Sequence, residues 1–186
     1  MMLFFQQKKK REYKGKMKSN KEPKEPIIVY IVMGIYLLFL CWTILFKLAD
    51  GFSKIPSMRS INLIPFYYDT LSDTQIHLKE VVYNVFIFIP AGFYLPALRS
   101  KKIKEGIIGS FFLSLFFEIM QWIFALGASD ITDVITNTMG GLLGACLYVF
   151  LGKIFKGKQV LIVSIIGAVL EALLVCLLVI LFIANS

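Results

Sequence analysis

Ile27 to Phe46 is a run of twenty residues without a charge, and it restricts the fold more than any other feature of the chain. At about 1.5 Å per helical residue, such a run just crosses a hydrocarbon core of about 30 Å. Four further apolar stretches follow, at about Val81–Leu98, Ile107–Leu126, Ile131–Leu151 and Val160–Ala184. An unpaired backbone amide in lipid costs several kcal/mol, and no alternating barrel-strand pattern is present, so each stretch is expected to be a helix. The reading is therefore all-α: a polytopic membrane bundle of about five transmembrane helices, with the lipid bilayer as its first partner. The apolar fraction of 58% and mean hydropathy of +0.74 agree, because soluble domains are roughly half apolar.

Lysine and arginine set the direction. The segment before the first span carries Lys8, Lys9, Lys10, Arg11, Lys14, Lys16, Lys18, Lys21 and Lys24, which the positive-inside rule keeps cytoplasmic. Alternation then puts the 99–106 loop (Arg99, Lys101, Lys102, Lys104) and the 152–159 loop (Lys153, Lys156, Lys158) inside as well. Sixteen of the twenty basic residues fall on that face, so the net charge of +8 needs no nucleic acid; affinity for anionic lipid accounts for it. The outer segments are residues 47–79, a tight turn at 127–130 and the C-terminal stub. Three parts are expected: a basic cytoplasmic tail over 1–26, a membrane domain over 27–152 with four helices and the outer loop, and a basic loop with the fifth helix over 153–186. The first span has no convincing cleavage site and is expected to stay as an anchor. Cys41, Cys146 and Cys176 all lie within spans, which argues against disulfides.

Polar side chains inside a span cost about 2.5 to 3.5 kcal/mol each on insertion scales, so they ask for a reason. On the third helix Ser114, Glu118 and Gln121 are spaced i, i+4, i+7 and share one face. On the fourth, Asp130, Asp133, Asn137, Gly140 and Gly144 fall within an arc of roughly 80°. Only about four residues join these helices, so they must form an antiparallel hairpin whose polar stripes overlap roughly 5 to 12 Å below the outer turn. Asn84, near the outer start of the second helix, lies at a similar depth. The expectation is an acidic, amide-lined pocket open to the outer leaflet. Each residue also has a structural explanation: Asp130 and Asp133 suit an N-cap and N3 pair, Gln121 and Asn137 suit interhelical hydrogen bonds, and Gly140-x-x-x-Gly144 suits close backbone approach. Glu118 and Asp133 together are the least explained, because neither helix holds a lysine or arginine within the apolar stretch to neutralise them.

The second helix contains Pro90, Gly92 and Pro96, and an internal proline removes a hydrogen bond, so a kink near 86–92 is expected. Ahead of it, Asn62-Leu-Ile-Pro65-Phe66-Tyr67-Tyr68 is an aromatic patch suited to the membrane interface as a lid or belt. His77 in that loop has no partnered ligand set and reads as solvated. Glu171, in the middle of the fifth span, reads as a neutral acid hydrogen-bonded to a neighbouring helix, with an ion or proton role as the alternative. No metal or cofactor site is expected.

Taken in order, Asn62-Leu-Ile-Pro-Phe66, Asn84 with Phe88-Ile-Pro-Ala-Gly92, Glu118-x-x-Gln121, and Asp130-Ile-Thr-Asp-Val-Ile-Thr-Asn137 with Gly140, Gly141 and Gly144 resemble the VanZ-like family of bacterial membrane proteins. The likeness covers roughly residues 35–150. It implies a multi-pass protein of the bacterial cell membrane, linked in Gram-positive bacteria to lowered susceptibility to teicoplanin, a lipid-bearing glycopeptide. Many relatives place an arginine just before the first aspartate of the fourth motif, where this chain has Gly127-Ala-Ser-Asp130.

Three functions fit these residues. The first is a non-enzymatic envelope factor whose outer pocket (Asn62, Pro65, Phe66, Asn84, Glu118, Gln121, Asp130, Asp133, Asn137) binds a lipid-linked cell-wall component or a lipoglycopeptide. The second is a membrane enzyme acting on a lipid or peptidoglycan substrate, with Glu118 or Asp133 as acid or base, although no catalytic constellation is recognised. The third is ion or proton transport through Glu118 and Glu171, for which five spans are scant unless the chain forms a homo-oligomer.

Overall fold

The computed structural model describes residue 6 and residues 25–45, 58–67, 74–99 and 101–184. Along the chain these form α1 (Ile27–Leu45), β1 (Met58–Asn62), α2 (Thr74–Leu98), α3 (Ile103–Phe124), β2 (Leu126–Asp130), α4 (Ile131–Ile154) and α5 (Gln159–Ala184). Four helices, α1 to α4, are long and apolar enough to cross a membrane, and α5 runs for 26 residues. The protein is an all-α multi-pass membrane bundle.

Polarity is inverted relative to a water-soluble bundle. Ser110, Ser114, Glu118, Gln121, Thr136 and Asn137 are buried, while Phe86, Phe112, Phe116, Ile119 and Phe150 face outward. Apolar side chains gain nothing by leaving lipid, so the helices associate through close packing and hydrogen bonds instead. Both devices are present. Gly140 and Gly144 of α4 lie against the Val85 and Ile89 carbonyls of α2, and Gly92 of α2 lies against Gly141 of α4. Gly106 of α3 meets the same place: a Cβ there would come within 2.6 Å of the Gly92 carbonyl oxygen. α2 and α4 form the tightest pair, α3 packs on both, and α1 rests mainly on α5.

Proline shapes α2 without ending it. The helix is continuous through Pro90 and Pro96. Tyr36 Oη of α1 donates to the Ile87 carbonyl (2.8 Å), in the turn just before Pro90, where the ring disturbs the helix's own ladder. Gly92, expected as part of a kink, serves as a contact point for α4. Apolar clusters fill the remaining space: Val29, Val32, Met33, Phe93, Tyr94, Ala97, Tyr148 and Val160 join α1, α2, α4 and α5, and Leu40, Phe88, Ala91 and Phe117 join α1, α2 and α3. Tyr94 Oη and Ser164 Oγ, 3.2 Å apart, tie α2 to α5.

Two sequence expectations need correction. Residues 127–130 are not a tight turn but belong to the extended strand β2, paired in parallel with β1 in the register Met58↔Leu126 to Asn62↔Asp130. α3 stops because Ala125 takes the left-handed conformation (φ 55), and Gly127 at φ 151 supplies a backbone angle that a side chain would strain. Second, α2 starts at Thr74 rather than near Val81. Its opening segment Thr-Gln-Ile-His-Leu-Lys-Glu is polar, so a hydropathy reading misses helix that extends beyond the apolar stretch. His77 therefore lies in the first turn of α2 rather than in a loop, and its side chain is outside the described part. Residues 47–57 and 68–73 of the expected outer loop, Tyr68 among them, and Phe46 at the end of the first expected span are also outside it.

Candidate functional site

Asp130 closes β2 and opens α4. Its Oδ1 accepts the Thr132 N–H at 2.7 Å, which makes it the N-cap expected from sequence, and its Oδ2 accepts from Asn62 Nδ2 at 3.0 Å. Asn62 also organises the motif that follows. Its Oδ1 accepts the Ile64 N–H (3.1 Å), an Asx turn that leads into a reverse turn closed by Tyr67 N–H to the Ile64 carbonyl (3.3 Å). Pro65 occupies the second position of that turn, where its fixed φ fits, and Phe66 takes φ 55 at the third. A phenylalanine in the left-handed region is strained by roughly 1 kcal/mol, and the Phe66 N–H is held by Thr132 Oγ1 at 3.0 Å. Leu63, Ile64, Phe66 and Tyr67 consequently stand exposed at this end of the bundle.

Below the strands, the polar stripes of three helices meet. Asn84 Nδ2 of α2 donates to Asp133 Oδ1 of α4 at 2.7 Å, and Asn137 Nδ2 of α4 donates to Ser114 Oγ of α3 at 2.8 Å. Gln121 Nε2 of α3 donates to the Ile44 carbonyl at 3.0 Å and so reaches the last turn of α1. Glu118 works in two directions: its carbonyl accepts from Ser129 Oγ (2.8 Å) and its Oε2 accepts the Asp130 N–H (2.9 Å), which anchors β2 to α3. Asn84, Glu118, Gln121, Asp133 and Asn137 line one cavity of about 170 Å³, with Thr43, Ile44, Glu80 and Tyr83 completing its wall.

A second cavity of about 320 Å³ lies on the other side of Glu118. It is walled mostly by apolar side chains, Leu115, Ile119, Trp122, Ile131 and Val134 among them, with Ile61, Asn62, Leu63 and Asp130 at the strand end. Glu118 is the acid common to both spaces. Two buried acceptors on the polar side, Gln121 Oε1 and Asn137 Oδ1, have no hydrogen-bond partner among the described residues.

The sequence-derived residues thus separate into three groups. Asn84, Glu118, Gln121, Asp133 and Asn137 surround the polar cavity; Asn62 and Asp130 sit at the strand end of the apolar one; Pro65 and Phe66 shape the exposed turn and line neither. Gly140 and Gly144 are contact points for α2. Glu171 stands apart, lining an apolar cavity of about 290 Å³ with Tyr36 and Tyr94, its Oε2 without a partner among the described residues, so the expected bond to a neighbouring helix is not formed there.

Sequence reasoning missed Arg59, Glu80 and Trp122. The Arg59 guanidinium donates to the Ile123 carbonyl (3.1 Å) and lies 5.8 Å from the centre of the Trp122 ring. In the strand register Arg59 faces Gly127, the segment where the fourth motif lacks an arginine. Nothing in the linear sequence joins residue 59 to 127; only the parallel pairing does.

The VanZ/LLP1 family profile matches residues 33–156, which contain every residue of both cavities. The chain belongs to the VanZ/LLP1 family. Among curated relatives it is 42% identical over 150 residues to Protein VanZ of Enterococcus faecium, covering 77% of this chain and 88% of that protein. No solved structure matches it. The VanZ/LLP1 match extends from α1 through α4, and α5 lies beyond its end.

Proposed function

We propose that this VanZ/LLP1 protein acts in the bacterial cell membrane, lowering susceptibility to teicoplanin-like glycopeptides by binding a lipid-linked cell-wall component, or the lipid-bearing drug, at the outer leaflet. The observation that carries this reading is the meeting of five intramembrane polar side chains around one cavity, with an apolar cavity across Glu118 from it. Such a pair of spaces suits a molecule with a hydrogen-bonding head and a greasy chain. The basic loops at 99–104 and 153–158 lie at the bundle end opposite the strand pair, so the positive-inside rule directs the cavities outward.

The test is expression in a teicoplanin-susceptible Gram-positive host. The wild-type chain should raise the inhibitory concentration, and Glu118→Gln and Asp133→Asn should each lower that gain. Loss of one charge-assisted hydrogen bond to a ligand is worth about 1.5 to 3 kcal/mol, or tenfold and more in affinity. If both variants accumulate folded and leave susceptibility as the wild type does, the pocket has no part in the phenotype.

A further inference from the structure

Resting on the outward orientation and the apolar cavity of that reading, we infer that this cavity takes the hydrocarbon chain of a lipid whose head is an anionic phosphate, and that Arg59 binds the phosphate at the cavity's outer mouth. The path of the chain comes from α3. Leu115, Ile119 and Trp122 are spaced i, i+4, i+7, so they form one stripe about 10 Å long, running down the helix as the chains of the outer leaflet do. Ile131 and Val134 of α4 wall the other side of the space of about 320 Å³. Ile119 and Trp122 remain half-exposed, so the cavity is open to the acyl region beside α3.

Arg59 identifies the head. It shares a face of β1 with Ile61, which lines the cavity, because residues two apart on a strand point the same way. Its Nη2 donates to the Ile123 carbonyl in the last turn of α3, and its guanidinium lies 5.8 Å from the centre of the Trp122 ring. This places an exposed cation where α3 leaves the hydrocarbon, which is the depth of a lipid phosphate and of interfacial tryptophans. A guanidinium carries its N–H donors in a planar fork that matches the paired oxygens of a phosphate, and closing the end of α3 engages only one of its nitrogens. The two acids of the cavity stand clear of that point. Asp130 faces Asn62, three strand positions or about 10 Å from the Arg59–Gly127 pair, and its carboxylate accepts from Thr132 and Asn62. Glu118 lies one turn below Trp122, and its Oε2 accepts the Asp130 N–H.

The full chain carrying Trp42→Phe, in phosphatidylcholine nanodiscs, leaves Trp122 as its one tryptophan, and lipids brominated in their chains quench it on contact. Equal small shares of brominated phosphatidic acid, phosphatidylcholine (whose choline offsets the phosphate charge) or diacylglycerol (which has no phosphate) are added separately. Phosphatidic acid should collect at Trp122 about tenfold over either of the others. The basic loops also attract anionic lipid, but from the opposite end of the bundle, so they leave this signal unchanged. Arg59→Gln should bring phosphatidic acid down to the phosphatidylcholine level, and Arg59→Lys should keep part of the preference, since it retains the charge and loses the fork. Ile119→Phe, at a half-exposed position, should fold even where Arg59→Gln does not, and by narrowing the groove it should lower the preference several-fold with Arg59 in place. Equal quenching by all three lipids, or a preference that survives both Arg59→Gln and Ile119→Phe, would overturn the inference. So would a preference abolished by inorganic phosphate, which would make the site one for the free anion. Each of these failures concerns Arg59 and the groove alone, and the susceptibility test of Glu118→Gln and Asp133→Asn stands or falls separately.

Discussion

Replacing Asn84 by leucine removes the donor that reaches Asp133 across 2.7 Å, and this bond joins α2 to α4 at the depth of the polar cavity. Hydrogen bonds to charged groups contribute about 1.5 to 3 kcal/mol, so the variant should melt at lower temperature in detergent micelles, and Asn84→Asp should not restore it because it brings two carboxyls together. Glycines give a sharper contrast. A Cβ at Gly144 would press into the Ile89 carbonyl and the Gly92–Phe93 backbone of α2, whereas one at Gly34 of α1 would meet nothing within 4 Å. Gly144→Ala is expected to cost about 1 to 3 kcal/mol or more through overpacking, and Gly34→Ala to be neutral or stabilising; parallel thermal melts of the two proteins check both. These residues were legible in the sequence because amide, acid and glycine at helical spacing are conspicuous within an apolar run. What spacing could not give was the partner: the glycine stripe reads the same whichever helix it meets, and here it meets α2 rather than its hairpin neighbour α3.

At the level of elements, the helices followed from hydrophobic length and the strands did not. β2 is Leu-Gly-Ala-Ser-Asp, five residues without a β-branched side chain, and its partner lies 68 positions away in the chain. Local propensity contains no trace of such a pair; pairing with β1 and anchoring by Glu118 make it extended. The alternation of half-buried and buried positions along β2, with Gly127 and Ser129 inward, emerges only once α3 is beneath it. Asn62→Ala should therefore act on the whole strand pair. It removes the 3.0 Å bond to Asp130 and the Asx turn before Pro65, and amide hydrogen exchange across residues 58–67 and 126–130 should accelerate about tenfold, for a local loss of about 1 to 2 kcal/mol. Unchanged protection in β2 would mean that Glu118 alone holds it.

For the molecule as a whole, direction across the membrane is the expectation with the widest reach. In a background lacking Cys41, Cys146 and Cys176, Leu63→Cys on the exposed turn should react with an impermeant maleimide on intact cells, and Lys102→Cys between α2 and α3 should react only after permeabilisation. The reverse pattern would put both cavities on the cytoplasmic side and end the glycopeptide reading. Basic loops carry that expectation; the inverted polarity of the interior was legible in the sequence, since Ser114, Glu118 and Gln121 share a face that apolar lipid would not accept. The seam between α2 and α4 has a mechanical corollary. Where main chain rests on main chain there is no slack, so these two helices must travel as one stiff blade. Compliance is left to α1, whose Ile44 carbonyl in the last turn accepts the Gln121 amide at the wall of the polar cavity. When a solute larger than that chamber binds, spin labels should record widening between α1 and α3 while the α2–α4 separation holds constant.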